Sequence, residues 1–522
     1  MNIEKRDYFL KNVSIVSLCR TVGVVLGVVM DAIILKTYGA GTTTDALFTS
    51  LAIPLFICRI FEVQAPNVLV PVFASSFTNL NKKEREKALG NFIVCSSIVL
   101  FFVALIGMLI ASLLIPLQVP GFNGDIQRVA VSLNRILFWL IFIQGIDTIF
   151  KCLLLSNHHF FIPSSYKVIY NLFVVVSILV LQKQIGIFAV AVGYIAGSLV
   201  SLMTMVLTTV YKGIGISLTF RPNDPHLRTT YRRFLYPLSG HFLSESKDLI
   251  ENFLCSFLSS GYLSLLRYAN RIVSSISGVL LGGFVTTTLP LASHYAAENK
   301  IKEMKTSIFQ CAKLLCFGAF PLAVWLVLTS KWMLVLLFER GMFTRHDSVL
   351  LSMIIAVMSP YILFSRAISI FQTPFFAIGE MKKPLYSMIV SFGVYVAIAL
   401  AFIKTAGVFC FPLAHSVSTL LATVVMVVIF VRHFGAIDWK EFNGFILRLS
   451  IATAAFGLLL ALLLSGEQFF KIQTTVSKIN IFTIPTVVGF VIFACITAVL
   501  KIADWSFITK RLALVRLRRN ST

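Results

Sequence analysis

A chain of 522 residues that is 57% hydrophobic and only 13% charged, with a mean hydropathy of +0.89, lies far from soluble globular proteins. Apolar runs of about 20 residues recur from end to end, each long enough to cross a hydrocarbon core about 30 Å thick, so the chain is expected to be an all-α integral membrane protein with about 14 transmembrane helices. The net charge of +23 does not point to nucleic acid, because with a cytoplasmic N-terminus most lysines and arginines fall in inner loops, the positive-inside distribution.

The N-terminal segment Met1–Asn12 is charged and enters a full-length span without a small-residue cleavage site, so no signal peptide is expected. Span one, about residues 12–36, carries Arg20 and Asp31 about 20° apart around a helix, with Gly23 and Gly27 near the same face. That face is either a packing seam with Arg20 snorkelling or the lining of a cavity. A tight turn, Tyr38-Gly39-Ala40-Gly41, leads into span two, which holds Asp45, Arg59 and Glu62 and is interrupted by Pro54, Pro66 and Pro71. An ionised group near the bilayer centre costs roughly 2.5 to 3.5 kcal/mol, and each proline frees a carbonyl that lipid cannot satisfy. Span two therefore reads as a helix of a transport pathway, unless Arg59 and Glu62, one turn apart, simply neutralise each other.

Spans three to six are plainer, with Arg135 and Asp147 their notable polar residues; His158-His159 has no carboxylate or cysteine at ligand spacing and no metal is expected. The nine cysteines lack zinc or redox spacing and read as packing residues. A basic connection, Lys212–Arg233, marks the boundary between two halves. Span seven carries Glu245, Lys247, Asp248 and Glu251. Lys247 and Glu251 have pairing distance along a helix, while the other carboxylates are like charges one turn apart that could hold a coupling cation. Span eight sets Arg267 and Arg271 on one face above Ser274, Ser275, Gly278 and Gly282. Two arginines one turn apart repel unless something anionic lies between or opposite them, so this face favours an anion site. Spans nine to twelve repeat the plainer pattern, with Arg366 and Gln372 ahead of Pro374. The last two spans, about residues 447–500, are almost uncharged and end in a basic tail.

The segment Val70–Phe77 is echoed by Leu289–Ala296, and Pro163 by Pro384. Both offsets are about 220 residues, which indicates a duplicated six-span unit. The expected architecture is two pseudo-symmetric six-helix lobes, residues 1–220 and 221–433, followed by two extra C-terminal helices and a basic tail in residues 434–522. Substrate sites in such folds lie between the halves, where spans one, two, seven and eight would meet.

Asp31-Ala32-Ile33, Tyr38–Ala46, Pro54 to Arg59, Ser259–Ile272, Gly341–Thr344 and Phe375–Tyr386 together resemble the MviN/MurJ family of lipid II flippases, a branch of the superfamily that includes multidrug exporters. The resemblance covers roughly residues 12 to 440. It implies two lobes around a cationic cavity, a helix pair forming a lipid-facing groove, and alternating access that turns lipid II outward. Carried over residue by residue, Arg271 matches the cavity arginine of span eight, Asp45 the aspartate after the Gly-rich turn, and Arg59 the second of a usual arginine pair whose first position is Cys58. Met30 replaces the arginine before Asp31, Ser274 the acidic residue after Arg271, and Arg20 stands one turn before the family's other first-span arginine.

On that basis Arg20, Arg59 and Arg271, with Arg267, are expected to hold the pyrophosphate of a polyprenyl-linked sugar, arginine's planar fork being suited to phosphate. Asp31 and Asp45 would pair with arginines in one state and release them in the other. The expected substrate is lipid II, with another lipid-linked glycan, of O-antigen or exopolysaccharide type, as the closest rival and a cation-coupled multidrug exporter more distant. A membrane-embedded glycosyltransferase is disfavoured because no outer loop gathers acid/base or metal-binding groups, so the chain is not expected to be an enzyme. The expected setting is the bacterial cytoplasmic membrane, with both termini cytoplasmic, as a monomer without cofactor or nucleic acid. Membrane potential, or a Na+ or H+ at Glu245, Asp248 and Glu251, remain open as energy sources.

Overall fold

The computed structural model describes residues 3–73, 81–157, 159–380, 382–435, 439–465, 475–500 and 502, and for some of these only the backbone. Sixteen α-helices and one 3-10 turn follow one another, with no strand among the described residues. Eleven stretches among those residues are long and apolar enough to cross a membrane, which makes this a multi-pass membrane protein. One of them, Lys382–Phe434, contains two helices, and another, Gly124–Ser156, is interrupted at Phe138. The tail beyond residue 502, His158 and residues 74–77 of the first repeat echo lie outside the described residues, as does the side chain of Arg20.

The chain divides into two compact units: Met1–Tyr268 with Arg340–Asp347 and Ala399–Val408, and Ala269–Glu339 with Ser348–Ile398 and Phe409–Thr522. The division falls inside a helix rather than in the basic connection after residue 211 that the sequence suggested. Local hydrogen bonds explain why. The connection is fastened to α3 (Lys82–Leu109): Ser217 N donates to Glu86 O at 3.0 Å and Thr219 Oγ1 to Lys87 O at 3.0 Å. Asn91 donates to Arg221 O at 2.9 Å and accepts from Arg221 N at 2.6 Å. A basic, polar segment that looks like a linker is thus part of the first unit's surface.

In the first unit α1 (Ile3–Tyr38) packs on α7 (Phe161–Ile185), which pairs with α8 (Phe188–Tyr211). The helix α2 (Thr42–Pro71) lies against α5 (Gly124–Leu137), α6 (Trp139–Ser156) and α9 (Pro225–Cys255), while the short α4 (Ala111–Gln118) touches α5 and α9. Its core gathers Ala65, Leu69, Phe73, Phe92, Leu153 and Met205, all under 5% exposed. Proline inside α2 removes an N–H and frees the carbonyl four residues earlier. For Pro54 that carbonyl belongs to Ser50, and it is satisfied by the buried Asn134 of α5, whose Nδ2 donates at 2.7 Å.

Helix α10 (Tyr262–Ala297) starts in the first unit and continues into the second. The second unit also contains α11 (Ile301–Leu337), α12 (Arg345–Ala377), α13 (Lys382–Ala406), α14 (Cys410–Phe434), α15 (Trp439–Ser465) and α16 (Thr475–Val499), apart from the short segments assigned to the first. The two C-terminal helices pack on each other and on α11, around Phe456, Leu449, Leu460 and Phe493. Trp325 of α11 donates to Thr486 of α16 at 3.2 Å. On the α10 face, Ser277 accepts from Arg366 Nε at 2.8 Å.

Candidate functional site

Three separated sequence motifs meet at the turn between α1 and α2. Met342 N donates to Lys36 O at 3.0 Å. Gly341, at φ +66°, lies so close to that carbonyl that a Cβ would stand 2.3 Å from it. Gly261, at φ +90°, comes equally near the turn, with room for a Cβ only 2.7 Å from Ala40 O. Only glycine meets both the left-handed backbone and the close approach.

This junction places Asp45 at the start of α10. Its carboxylate accepts from Gly261 N at 2.5 Å, Ser264 N at 2.8 Å and the Ser264 hydroxyl. Thr44 meets Ser264 Oγ at 2.9 Å. Asp45 is 1% exposed and acts as an N-cap supplied from another helix, its charge facing the positive end of α10. The sequence reading had it exchanging arginines; in this conformation it is held by amides. Asp31 is likewise buried, on α1.

Further along α2 lies a charge network. Arg59 Nη1 is 3.3 Å from Glu245 Oε2 and 3.1 Å from Asp248 Oδ2. Arg267 Nη1 is 2.8 Å from Asp248 Oδ1 and 3.3 Å from Glu251 Oε2. Its Nη2 donates to Asp248 O at 2.5 Å and Asn252 Oδ1 at 2.6 Å. Asp248 therefore bridges two guanidinium groups, one oxygen to each. The anion that the repulsion argument demanded opposite Arg267 is supplied by α9 itself. The premise that the α9 carboxylates stand unpaired does not hold, since Glu245, Asp248 and Glu251 all contact arginine. The Arg59 side chain is 50% exposed, whereas that of Arg267 is 12% exposed and that of Glu251 fully buried. Arg59 is thus the more exposed of the two arginines.

The local pairing of Arg59 with Glu62 is not made: Glu62 accepts from the Tyr166 hydroxyl and lies 3.5 Å from Lys167 Nζ. Lys151 and Lys167, which the sequence reading passed over, belong to that second polar group; two lysines within apolar helices were the signal. Arg271 stands on α10 in the second unit and is partly buried. Arg20 lies on α1, its side chain outside the described residues. Met30 and Cys58, at the positions where the family pattern has arginine, are both buried.

The family model described as "Lipid II flippase MurJ" matches residues 34–494. The chain belongs to the MurJ family. Among its MurJ relatives, a probable lipid II flippase MurJ from Thermotoga maritima is 24% identical over 490 residues, covering 93% of this chain and 96% of the relative. One from Buchnera aphidicola of Baizongia pistaciae is 26% identical over 385 residues, covering 72% of this chain and 74% of the relative. The fold agrees with a solved lipid II flippase MurJ in an inward closed conformation, with TM-score 0.78 and 18% identity over 93% of this chain and 98% of that one. It also agrees with an inward-facing MATE multidrug transporter of the MOP superfamily, with TM-score 0.67 and 16% identity over 80% of this chain and 98% of that one.

Proposed function

We propose that this protein is a flippase, without catalytic chemistry, that carries lipid II from the inner to the outer leaflet of the cytoplasmic membrane by alternating access. The observation that carries the reading is Arg59, half exposed yet resting on two carboxylates. A pyrophosphate offers the same planar fork more negative charge than Glu245 and Asp248 offer singly, so substrate can take Arg59 from its internal partners. Arg267, buried on Asp248 and Glu251, stays in place and holds α9 to the start of α10. The carboxylates released by Arg59 then lack a counter-ion, which gives the loaded state a different preferred arrangement. A ligand shifts such an equilibrium only by its differential affinity for the two states.

Arg20, which neighbours a cavity arginine of the family, joins the proposed anion site of the first unit, Arg271, which matches another, is proposed as a substrate-binding residue of the second, and Asp45 with Asp31 restrains the empty state. The lipid tail stays in the bilayer along α15 and α16. A Na+ or H+ at Glu245 and Asp248 would first require Arg59 to leave, because its guanidinium contacts one oxygen of each, while Glu251 is held by Arg267. On this reading both termini face the cytoplasm and a monomer is the working unit.

In vesicles reconstituted with the purified protein and lipid II, Arg59→Glu and Arg271→Glu should each abolish movement of lipid II between leaflets while the protein keeps its melting profile. Wild-type rates in either folded variant would contradict the site.

A further inference from the structure

The second charged group of the first unit takes no part in the Arg59–Arg267 network. Glu62 stands three residues beyond Arg59 on α2, one turn away on nearly the same face. The Tyr166 hydroxyl donates to it, and Lys167 Nζ lies 3.5 Å away. The Lys151 ammonium sits 3.9 Å above the centre of the Tyr166 ring, and Lys167 Nζ 5.5 Å from it. Helices α6 and α7 thus bring two ammonium groups and a phenol around one carboxylate from α2. Asp147, one turn before Lys151 on α6, is 5% exposed, accepts from Ser201 of α8 at 2.9 Å and also feels the Lys151 charge.

This is the shape of an oxyanion pocket filled by the protein's own carboxylate. Its contents are reachable, with side-chain exposures of 33% for Glu62 and 56% for Lys167. An ammonium so exposed within a span is costly against lipid, which places it against water or a polar ligand. The set already holds a carboxylate, that of Glu62, so a substrate carboxylate is the group of like size and charge that can replace it.

We propose that Lys151, Lys167 and the Tyr166 hydroxyl form a second anion subsite that takes a carboxylate of the substrate's head group while Arg59 takes its pyrophosphate. Glu62 holds the subsite until the head group replaces it. The inference rests on the lipid-linked substrate reading and narrows it: the substrate is a polyprenyl-pyrophosphate lipid with free acid groups on its head, not one with a neutral glycan.

The test is binding to the full-length protein in nanodiscs, using bare undecaprenyl pyrophosphate, lipid II with free peptide carboxylates, and lipid II with those carboxylates amidated. Wild type should prefer the free acid over the amidated form by about tenfold. The double variant Lys151→Gln with Lys167→Gln should lose that preference yet bind the bare carrier within about twofold of wild type, which also shows that it is folded. Glu62→Gln should tighten binding of the free acid, since the internal competitor is gone. Arg59→Gln should weaken all three lipids alike. A double variant that keeps the tenfold preference overturns the subsite. So does one that loses binding of phosphatidylglycerol to the same extent as binding of the free acid, which would assign the lysines to membrane headgroups. If wild type binds none of the three pyrophosphate lipids, the substrate reading itself fails, a result distinct from failure of the subsite.

Discussion

Asp248 spends one carboxylate oxygen on each of two arginines whose environments differ: the Arg59 side chain is 50% exposed and that of Arg267 is 12% exposed. An exposed ion pair contributes about 0 to 1 kcal/mol, while removing one partner of a buried pair costs about 3 to 5 kcal/mol. Arg267 keeps Glu251 and Asn252 when Asp248 is lost, so Asp248→Asn should fall below that range but still lower the detergent melting temperature more than Glu245→Gln, which touches only the exposed Arg59. Equal losses would count against the distinction. Asp45→Ala removes a buried cap from α10 and should destabilise by about 1 to 2 kcal/mol, read as a lower melting temperature. The residue types were legible in the sequence: a charge inside a span has to be explained, and Arg59, Asp45, Asp248 and Arg267 were all singled out for that reason. Their partners were not legible. Helix spacing offered Glu62 to Arg59, but the hydrogen-bonding carboxylates stand 186 and 189 positions away, and only the packing of α9 on α2 brings them near. Lys151 and Lys167 look isolated in the sequence; Glu62 of α2 and Tyr166, beside Lys167, join them only once α2, α6 and α7 are packed.

At the scale of the helices, hydrophobic runs gave the spans because lipid imposes length and apolarity together. Prolines marked α2 as a helix that needs help from its neighbours, and the help for Pro54 comes from Asn134. Asn134→Leu would leave Ser50 O without that donor, an uncompensated loss of about 1 to 3 kcal/mol; a melting temperature unchanged from wild type would show that another donor takes over. The interruption at Phe138 and the attachment of residues 217–221 to α3 were not legible. The attachment depends on tertiary hydrogen bonds, and the connection's basic, polar composition is also that of a solvated linker. The tight turn at residues 38–41 was legible as a turn, while its contacts with Gly261 and Gly341 needed the fold, since all three meet only once α10 and the segment before α12 are placed.

For the whole molecule, the motifs spread over residues 31–386 by themselves resemble the MurJ family, and the match over residues 34–494 establishes it. The duplication offset also pointed to two halves, but the compact units divide at Tyr268, within α10, because α9 is held to α2 by Arg59 and to the start of α10 by Arg267. The central claim is that this chain turns lipid II outward and does so through Arg59. The most direct measurement is lipid II on the outer leaflet of cells depleted of their own lipid II flippase and supplied with this protein. Wild type should restore growth and outer-leaflet lipid II, and Arg59→Glu, present in the membrane at equal level, should restore neither. Growth failure with wild type, or full rescue by Arg59→Glu, would contradict the account.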